Sequence, residues 1–171
     1  MTMKTLEQLR HQEEGFTLIE LLIVMSVILI LMTLAIPQYI KVKKTTNETS
    51  AIQSMRAIGS AEVQFSQAYP GNGFSCSLTA MGGVPGSGAP TLQAAQVLDP
   101  GLALGHKAGY LFNVTNCTKV TVANTDLFTG YQVTAVPDSV GKSGDRGFCM
   151  DENNLIKFDP AGGTNCTQSL Q

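Results

Sequence analysis

Few side chains in this 171-residue chain have the types and spacing that catalysis requires. Its two histidines, His11 and His106, lie far apart in the sequence, so a Ser-His or Cys-His arrangement has little material. The formal net charge of -2 indicates no general affinity for polyanions. We therefore expect neither an enzyme nor a cofactor, and the informative chemistry is that of one carboxylate and four cysteines.

All four cysteines fall in the C-terminal portion, at Cys76, Cys117, Cys149 and Cys166. An even number beyond an apolar segment is typical of disulfides formed in an oxidising compartment. A zinc site is the alternative, but no two cysteines form a Cys-x-x-Cys pair and no histidine adjoins them. We interpret them as two disulfides, without a metal. Cysteine order, and a predicted strand pair between the last two, favour Cys149 with Cys166 and Cys76 with Cys117.

The carboxylate is Glu20, the single charged residue in the apolar run from Phe16 to Ile36. As an α-helix this run is roughly 31 Å long, enough to cross a bilayer. A carboxylate inside such a helix costs several kcal/mol and is a functional candidate. Cleavage before Phe16 would create an α-amino group, which on a neighbouring chain is a cation for Glu20 to pair with. The alternative is a glutamate tolerated near the membrane interface, four residues from Phe16.

The hexapeptide GFTLIE at residues 15–20, with the apolar run behind it, resembles the processing signature of type IV pilins and secretion-system pseudopilins. The resemblance implies that a membrane peptidase cuts after Gly15 and that Phe16 is then N-methylated. It also implies that Glu20 registers subunits during assembly, and Pro37 matches the family's helix proline. The implied partners are the prepilin peptidase and methylase, the inner-membrane assembly machinery, and further copies of the chain in a helical filament.

Residues 1–15 are then a cytoplasmic leader, although Glu13 and Glu14 depart from the usual basic leader. Three lysines at positions 41–44 follow the span, so the positive-inside rule does not set the orientation. Without interleaved aromatic residues these lysines favour a solvated or interfacial face over a nucleic-acid site. Disulfides and a cytoplasmic leader both require an extracytoplasmic head. We expect a single-pass inner-membrane protein that later enters a surface pilus or a periplasmic pseudopilus.

The element that must position these groups is one long helix over residues 16–69, with its membrane span at 16–36. Pro37 removes a backbone hydrogen bond and is expected to kink or loosen this helix. Beyond Pro37, apolar residues recur at helical spacing and predict a stripe that packs against a sheet. The stripe consists of Ile52, Met55, Ile58, Phe65 and Tyr69.

Residues 70–171 are predicted to form a globular head. Its Gly- and Pro-rich loop, 70–108, is expected to hold a short helix over Thr91–Leu98. Alternating apolar residues over 109–171 predict short antiparallel strands, closed near the C-terminus by a disulfide. Polar residues 151–154 favour a hairpin turn, and a calcium loop is the alternative. The expected fold class is α+β, a long helix on a small antiparallel sheet.

These features favour a structural subunit of a type IV pilus, which polymerises through its N-terminal hydrophobic helix after leader cleavage. A pseudopilin of a type II secretion or DNA-uptake system is the close alternative. A single-pass anchored binding domain that never polymerises is a more distant one, and it would not need Glu20.

Overall fold

The computed structural model describes residues 15–122 and 124–170, and the predictions for leader residues 1–14 lie outside this part. The chain is α+β, as predicted: a long apolar N-terminal helix accompanies a six-stranded antiparallel sheet. The chain divides between Tyr39 and Ile40 into two units. The elements are α1 (Leu18–Ala68), α2 (Leu78–Met81), α3 (Pro100–Ala103), β1 (His106–Lys107), β2 (Tyr110–Val122), β3 (Thr125–Pro137), β4 (Gly147–Asp151), β5 (Ile156–Asp159) and β6 (Gln168–Ser169).

Helix α1 continues through Pro37. A proline removes one amide donor, so the Thr33 carbonyl loses its usual partner, but the turns on either side retain theirs. Threonine hydroxyls in the following turns donate to backbone carbonyls four residues earlier, as from Thr45 to Lys41 at 3.1 Å and from Thr46 to Val42 at 3.0 Å. Such bonds satisfy the hydroxyls without leaving the helix, which is why a threonine-rich stretch does not end it.

The N-terminal unit exposes its apolar side chains on every side of the helix. Each residue from Leu18 to Tyr39 is exposed, including Leu34 at 72%. This part of α1 is long and apolar enough to cross a membrane. Exposing a helix that is apolar on all sides to water is unfavourable, so such a helix requires lipid or other helices around it.

The C-terminal unit is a meander in which the six strands follow one another across the sheet in chain order. The central register pairs Phe112 with Ala135 and Ala135 with Phe148. Alternate residues of β2 and β3 point towards the second half of α1, where Met55, Ile58 and Phe65 are buried as the helical stripe predicts. The buried apolar residues of the strands are Tyr110, Phe112, Tyr131, Val133, Ala135, Phe148, Met150 and Ile156.

The longest strands, β2 and β3, extend beyond the rest of the sheet. The apolar alternations at Tyr110–Val114 and at Val120–Val122 belong to one strand, joined across a β-bulge between Thr115 and Lys119. Strand β4 pairs with β3 only at residues 132–135, so residues 117–122 and 124–130 form a hairpin that overhangs β4. We refer to this segment as the β2–β3 hairpin.

The helix predicted over Thr91–Leu98 is wrong. Thr91 and Ala94 instead bond each other's backbone in a tight turn, and Gln96 adopts a φ of 57°. The amides of residues 95–98 donate to carbonyls at the end of α2, for example from Val97 to Met81 at 3.0 Å. Tertiary hydrogen bonds thus take the donors that a local helix would have used.

The structure joins Cys76 to Cys117 and Cys149 to Cys166, the two pairs that the sequence analysis favoured. The first bond ties the segment after α1 to the β2–β3 hairpin. The second ties β4 to the C-terminal segment across a sequence separation of 17 residues. Both disulfides hold loop-rich parts of the head to the sheet. Such cross-links matter in a small head, because its small hydrophobic core alone contributes little stability.

We predict that replacing Cys149 and Cys166 together by serine lowers the free energy of unfolding by about 3 kcal/mol, because the disulfide reduces the conformational entropy of the unfolded chain. The Cys76–Cys117 pair encloses a separation of 41 residues, and its loss should cost slightly more. Urea unfolding of the full chain in detergent micelles, followed by tyrosine fluorescence, measures both. Non-reducing peptide mapping checks the pairing, and free thiols or a Cys76–Cys166 peptide would contradict it.

Candidate functional site

The start of α1 is a capping box formed by Thr17 and Glu20. The Glu20 amide donates to the Thr17 hydroxyl at 3.3 Å, and the Thr17 amide donates to Glu20 Oε2 at 3.3 Å. The Thr17 hydroxyl also donates to Oε2 at 3.1 Å. Helix amides at an N-terminus have no partner within the helix, so these reciprocal bonds satisfy them and define where the helix begins.

Sequence reasoning treated Glu20 as a lone carboxylate and missed its bond with Thr17. The signal was present, since a threonine followed three residues later by a glutamate is a capping-box pattern. The bonds to Glu20 end on Oε2, so Oε1 has no hydrogen-bonding partner among the described residues. Glu20 itself is exposed on the helix surface. Its carboxylate therefore caps its own helix and still presents an oxygen outwards.

Gly15 and Phe16 lie before the first helical turn, and the Phe16 side chain is 80% exposed. Pro37 lies on the same helix, 17 residues beyond Glu20, which is ~26 Å along its axis. The structure therefore brings Gly15, Phe16 and Glu20 together at one helix end and leaves Pro37 outside that group. A cut after Gly15 would place the new amino group at Phe16, four residues before Glu20 along the chain.

Residues 10–36 match the family model for the prokaryotic N-terminal methylation motif. This is the hallmark of type IV pilin and pseudopilin precursors. The motif supports a pilin-like or pseudopilin protein and points to a structural subunit rather than an enzyme. It also implies processing by a prepilin peptidase and assembly with pilus machinery. No curated protein and no solved structure matches the chain.

In the C-terminal unit, a buried carboxylate of α1 binds the loop between β3 and β4. Glu48 Oε2 accepts two bonds from the Arg146 guanidinium, at 2.9 and 2.6 Å. Its Oε1 accepts the backbone amides of Asp145 and Arg146 at 2.9 and 3.2 Å. One turn earlier, Lys44 pairs with Asp145 at 2.8 Å on the surface. We call the group formed by Lys44, Glu48, Asp145 and Arg146 the helix–loop clamp.

The clamp was not predicted, because its partners are almost a hundred residues apart in the sequence. Arg146 also lies over the rings of Phe148 and Phe158, 5.6 and 5.3 Å from their centroids. Cation–π contact and four hydrogen bonds to one carboxylate fix this loop against the helix. The second half of α1 is thereby held to the head by charge as well as by its apolar stripe.

The polar residues at 151–154 form the tight turn between β4 and β5. Asp151 Oδ1 accepts the amides of Asn153 and Leu155 at 3.0 and 3.1 Å, and Asn154 has a φ of 60°. Asp159 likewise accepts the amides of Ala161 and Asn165. Within residues 15–122 and 124–170, no cluster of three or more His, Cys, Asp or Glu side chains could hold a metal.

Proposed function

We propose that the chain is a structural subunit of a type IV pilus, inserted in the inner membrane with its head outside and polymerised through α1 after cleavage at Gly15. One observation carries the proposal. The processing motif lies at the start of an apolar helix with more than twenty exposed residues, in which the only charge is Glu20, the fifth residue after the cut. A filament of staggered subunits surrounds such a helix with others like it.

Glu20 would supply the register. Apolar helices can slide past one another at little cost, because dispersion contacts are similar at many staggers. A carboxylate in that apolar setting is poorly solvated, so pairing with the Phe16 amine of a neighbouring subunit favours one stagger. An uncleaved chain has no amine at Phe16, which makes processing a condition for assembly.

We predict that the mature chain begins at Phe16 and carries one added methyl group. The bond after Gly15 precedes the helix, so it lies in a non-helical and exposed segment that a peptidase can bind. Intact-mass spectrometry of membrane and filament fractions measures the cut and the methylation together. A Gly15→Leu variant is the control and should keep its leader. A wild-type product that starts at Met1, or one cut after Ala35, would contradict the processing.

Electron microscopy of sheared surface filaments, with mass identification of this subunit along their length, tests the pilus itself. Filaments built of the processed chain support the proposal. A processed chain that stays in the periplasm, and whose loss blocks protein secretion or DNA uptake, would identify a pseudopilin instead. A processed chain that never associates with itself would leave only a membrane-anchored domain.

A further inference from the structure

Glu62 is a fully buried carboxylate in the middle of the second half of α1. Its Oε2 accepts the backbone amide of Ser75 at 2.6 Å. The short segment that follows the helix, residues 72–76, is therefore bonded to the helix through this side chain. Among the described residues of the helix, Glu62 is the one buried carboxylate that bonds to segment 72–76.

The same segment, residues 72–76, is also bonded to the β2–β3 hairpin. Asn72 and Phe74 bond Phe128 on either side, with N–O distances of 2.9 and 3.1 Å, so residues 72–74 extend the sheet at that point. Gly73 lies between them with a φ of 73°, and a Cβ there would overlap the Phe128 carbonyl oxygen. The Cys76–Cys117 disulfide joins segment and hairpin covalently. What loosens residues 72–76 therefore loosens the hairpin.

The second oxygen of Glu62, Oε1, faces the core without a hydrogen-bonding partner within the described chain, and so does the hydroxyl of Tyr131 on β3. The Tyr131 ring packs edge-on against Phe74 of the same segment, 4.8 Å between centroids. A buried, unpartnered carboxylate oxygen is costly, and most costly when it is charged. A protonated Glu62 would lower that cost and gain a hydrogen to donate.

The charged groups near this site are acidic. Burial, together with the negative charges of Glu62, Glu152 and Asp151, raises the pKa of Tyr131 to about 12. Burial also raises the pKa of Glu62 to about 7, against the bonds from the Ser75 and Cys76 amides, which lower it. Segment 72–76 and the helical neighbours of Glu62 at 58, 59, 65 and 66 contribute no charge.

We propose that Glu62 is a pH-dependent latch, which holds segment 72–76 and the β2–β3 hairpin to α1 most firmly when its carboxyl group is protonated. The direction of the pH effect follows from the difference in the pKa of Glu62 between the closed and open states. The pKa is about 7 in the folded head and 4.5 where the group is solvated, so the closed state binds the proton more tightly. Stability of the closed state is therefore highest below pH 4.5 and falls as pH rises towards 7, where it levels off.

Hydrogen exchange of the full chain in detergent micelles tests the latch. Corrected for intrinsic exchange, protection of amides 72–76 and 126–130 should fall by up to roughly 30-fold between pH 5.5 and 8.5, which is the linkage ratio for those two pKa values. Glu62→Gln keeps an acceptor for the Ser75 amide but cannot titrate, so protection in that variant should not change with pH. Glu48→Gln, at the other buried carboxylate of α1, should retain the wild-type pH dependence at these amides.

Carbon-13 NMR of the Glu62 carboxyl group provides a measurement that does not depend on a variant that folds. A titration midpoint near pH 7 in the wild-type chain supports the latch. A midpoint below pH 5 would overturn it, as would wild-type and Glu62→Gln protection that change equally with pH.

Discussion

Replacing Glu20 with alanine is expected to reduce incorporation of processed subunit into filaments by at least about tenfold, which corresponds to ~1.4 kcal/mol per contact. The carboxylate is the one charge in the exposed apolar half of α1, and pairing with a neighbour's amine would relieve its poor solvation. Membrane insertion and leader cleavage should be unchanged, because the apolar run and Gly15 remain. The measured quantity is the ratio of membrane-bound to sheared-filament subunit, in cells without wild-type chain.

The capping box makes it necessary to separate two roles of this side chain. Glu20→Gln keeps an oxygen that can accept the Thr17 amide but removes the charge. Thr17→Ala removes the cap, at a cost of about 1 kcal/mol in helix stability, and keeps the charge. If charge sets the register, Glu20→Gln assembles as poorly as Glu20→Ala, and Thr17→Ala assembles far better.

Ser26→Ala is the matched control for a polar residue lost from the same helix. The Ser26 hydroxyl donates to the Ile23 carbonyl within the helix at 2.7 Å, so its loss should leave filament yield near that of the wild type. Normal yield from processed Glu20→Gln and Glu20→Ala chains would show that register comes from elsewhere. Normal yield from Glu20→Gln alone would assign the effect of Glu20→Ala to the helix cap.

Glu48→Ala is expected to destabilise the head by about 3 kcal/mol, the lower end of the range for breaking a buried ion pair. The change leaves the guanidinium of Arg146 and the amides of Asp145 and Arg146 without their acceptor. The lower end applies because the Arg146 side chain is 39% exposed and remains partly hydrated. Urea unfolding of the full chain in micelles, followed by tyrosine fluorescence, measures the change.

Lys44→Ala is the control for the same clamp, because it removes an ion pair in which the Asp145 side chain is 53% exposed. Exposed pairs contribute below about 1 kcal/mol, so this variant should remain close to the wild type. Equal losses of unfolding free energy from Lys44→Ala and Glu48→Ala would contradict the distinction between the exposed Lys44–Asp145 pair and the buried Glu48–Arg146 pair. A loss below 1 kcal/mol from Glu48→Ala would show that the loop re-forms its bonds with water.

Local patterns were sufficient for much of the fold. The helical stripe correctly predicted the burial of Met55, Ile58 and Phe65, since a spacing of three and four residues places side chains on one face. Alternation likewise predicted that Tyr131 and Val133 share one face, and both are buried. The wrong helix at 91–98 shows the limit of such patterns, because the amides there bond carbonyls of residues 80–82, which no local propensity reveals.

The sequence by itself determined the processing motif, the apolar run behind it and the lone charge of Glu20, because each depends on residues adjacent along the chain. Only the tertiary structure decided which carboxylates are buried. Glu48 and Glu62 both lie in the predicted long helix, and nothing in the sequence around either one distinguishes it from an exposed glutamate. Burial depends on which strands and loops the sheet brings to that face, and those contacts join residues far apart in the chain: Glu48 meets Arg146, and Glu62 meets Ser75 under a hairpin anchored at Cys117.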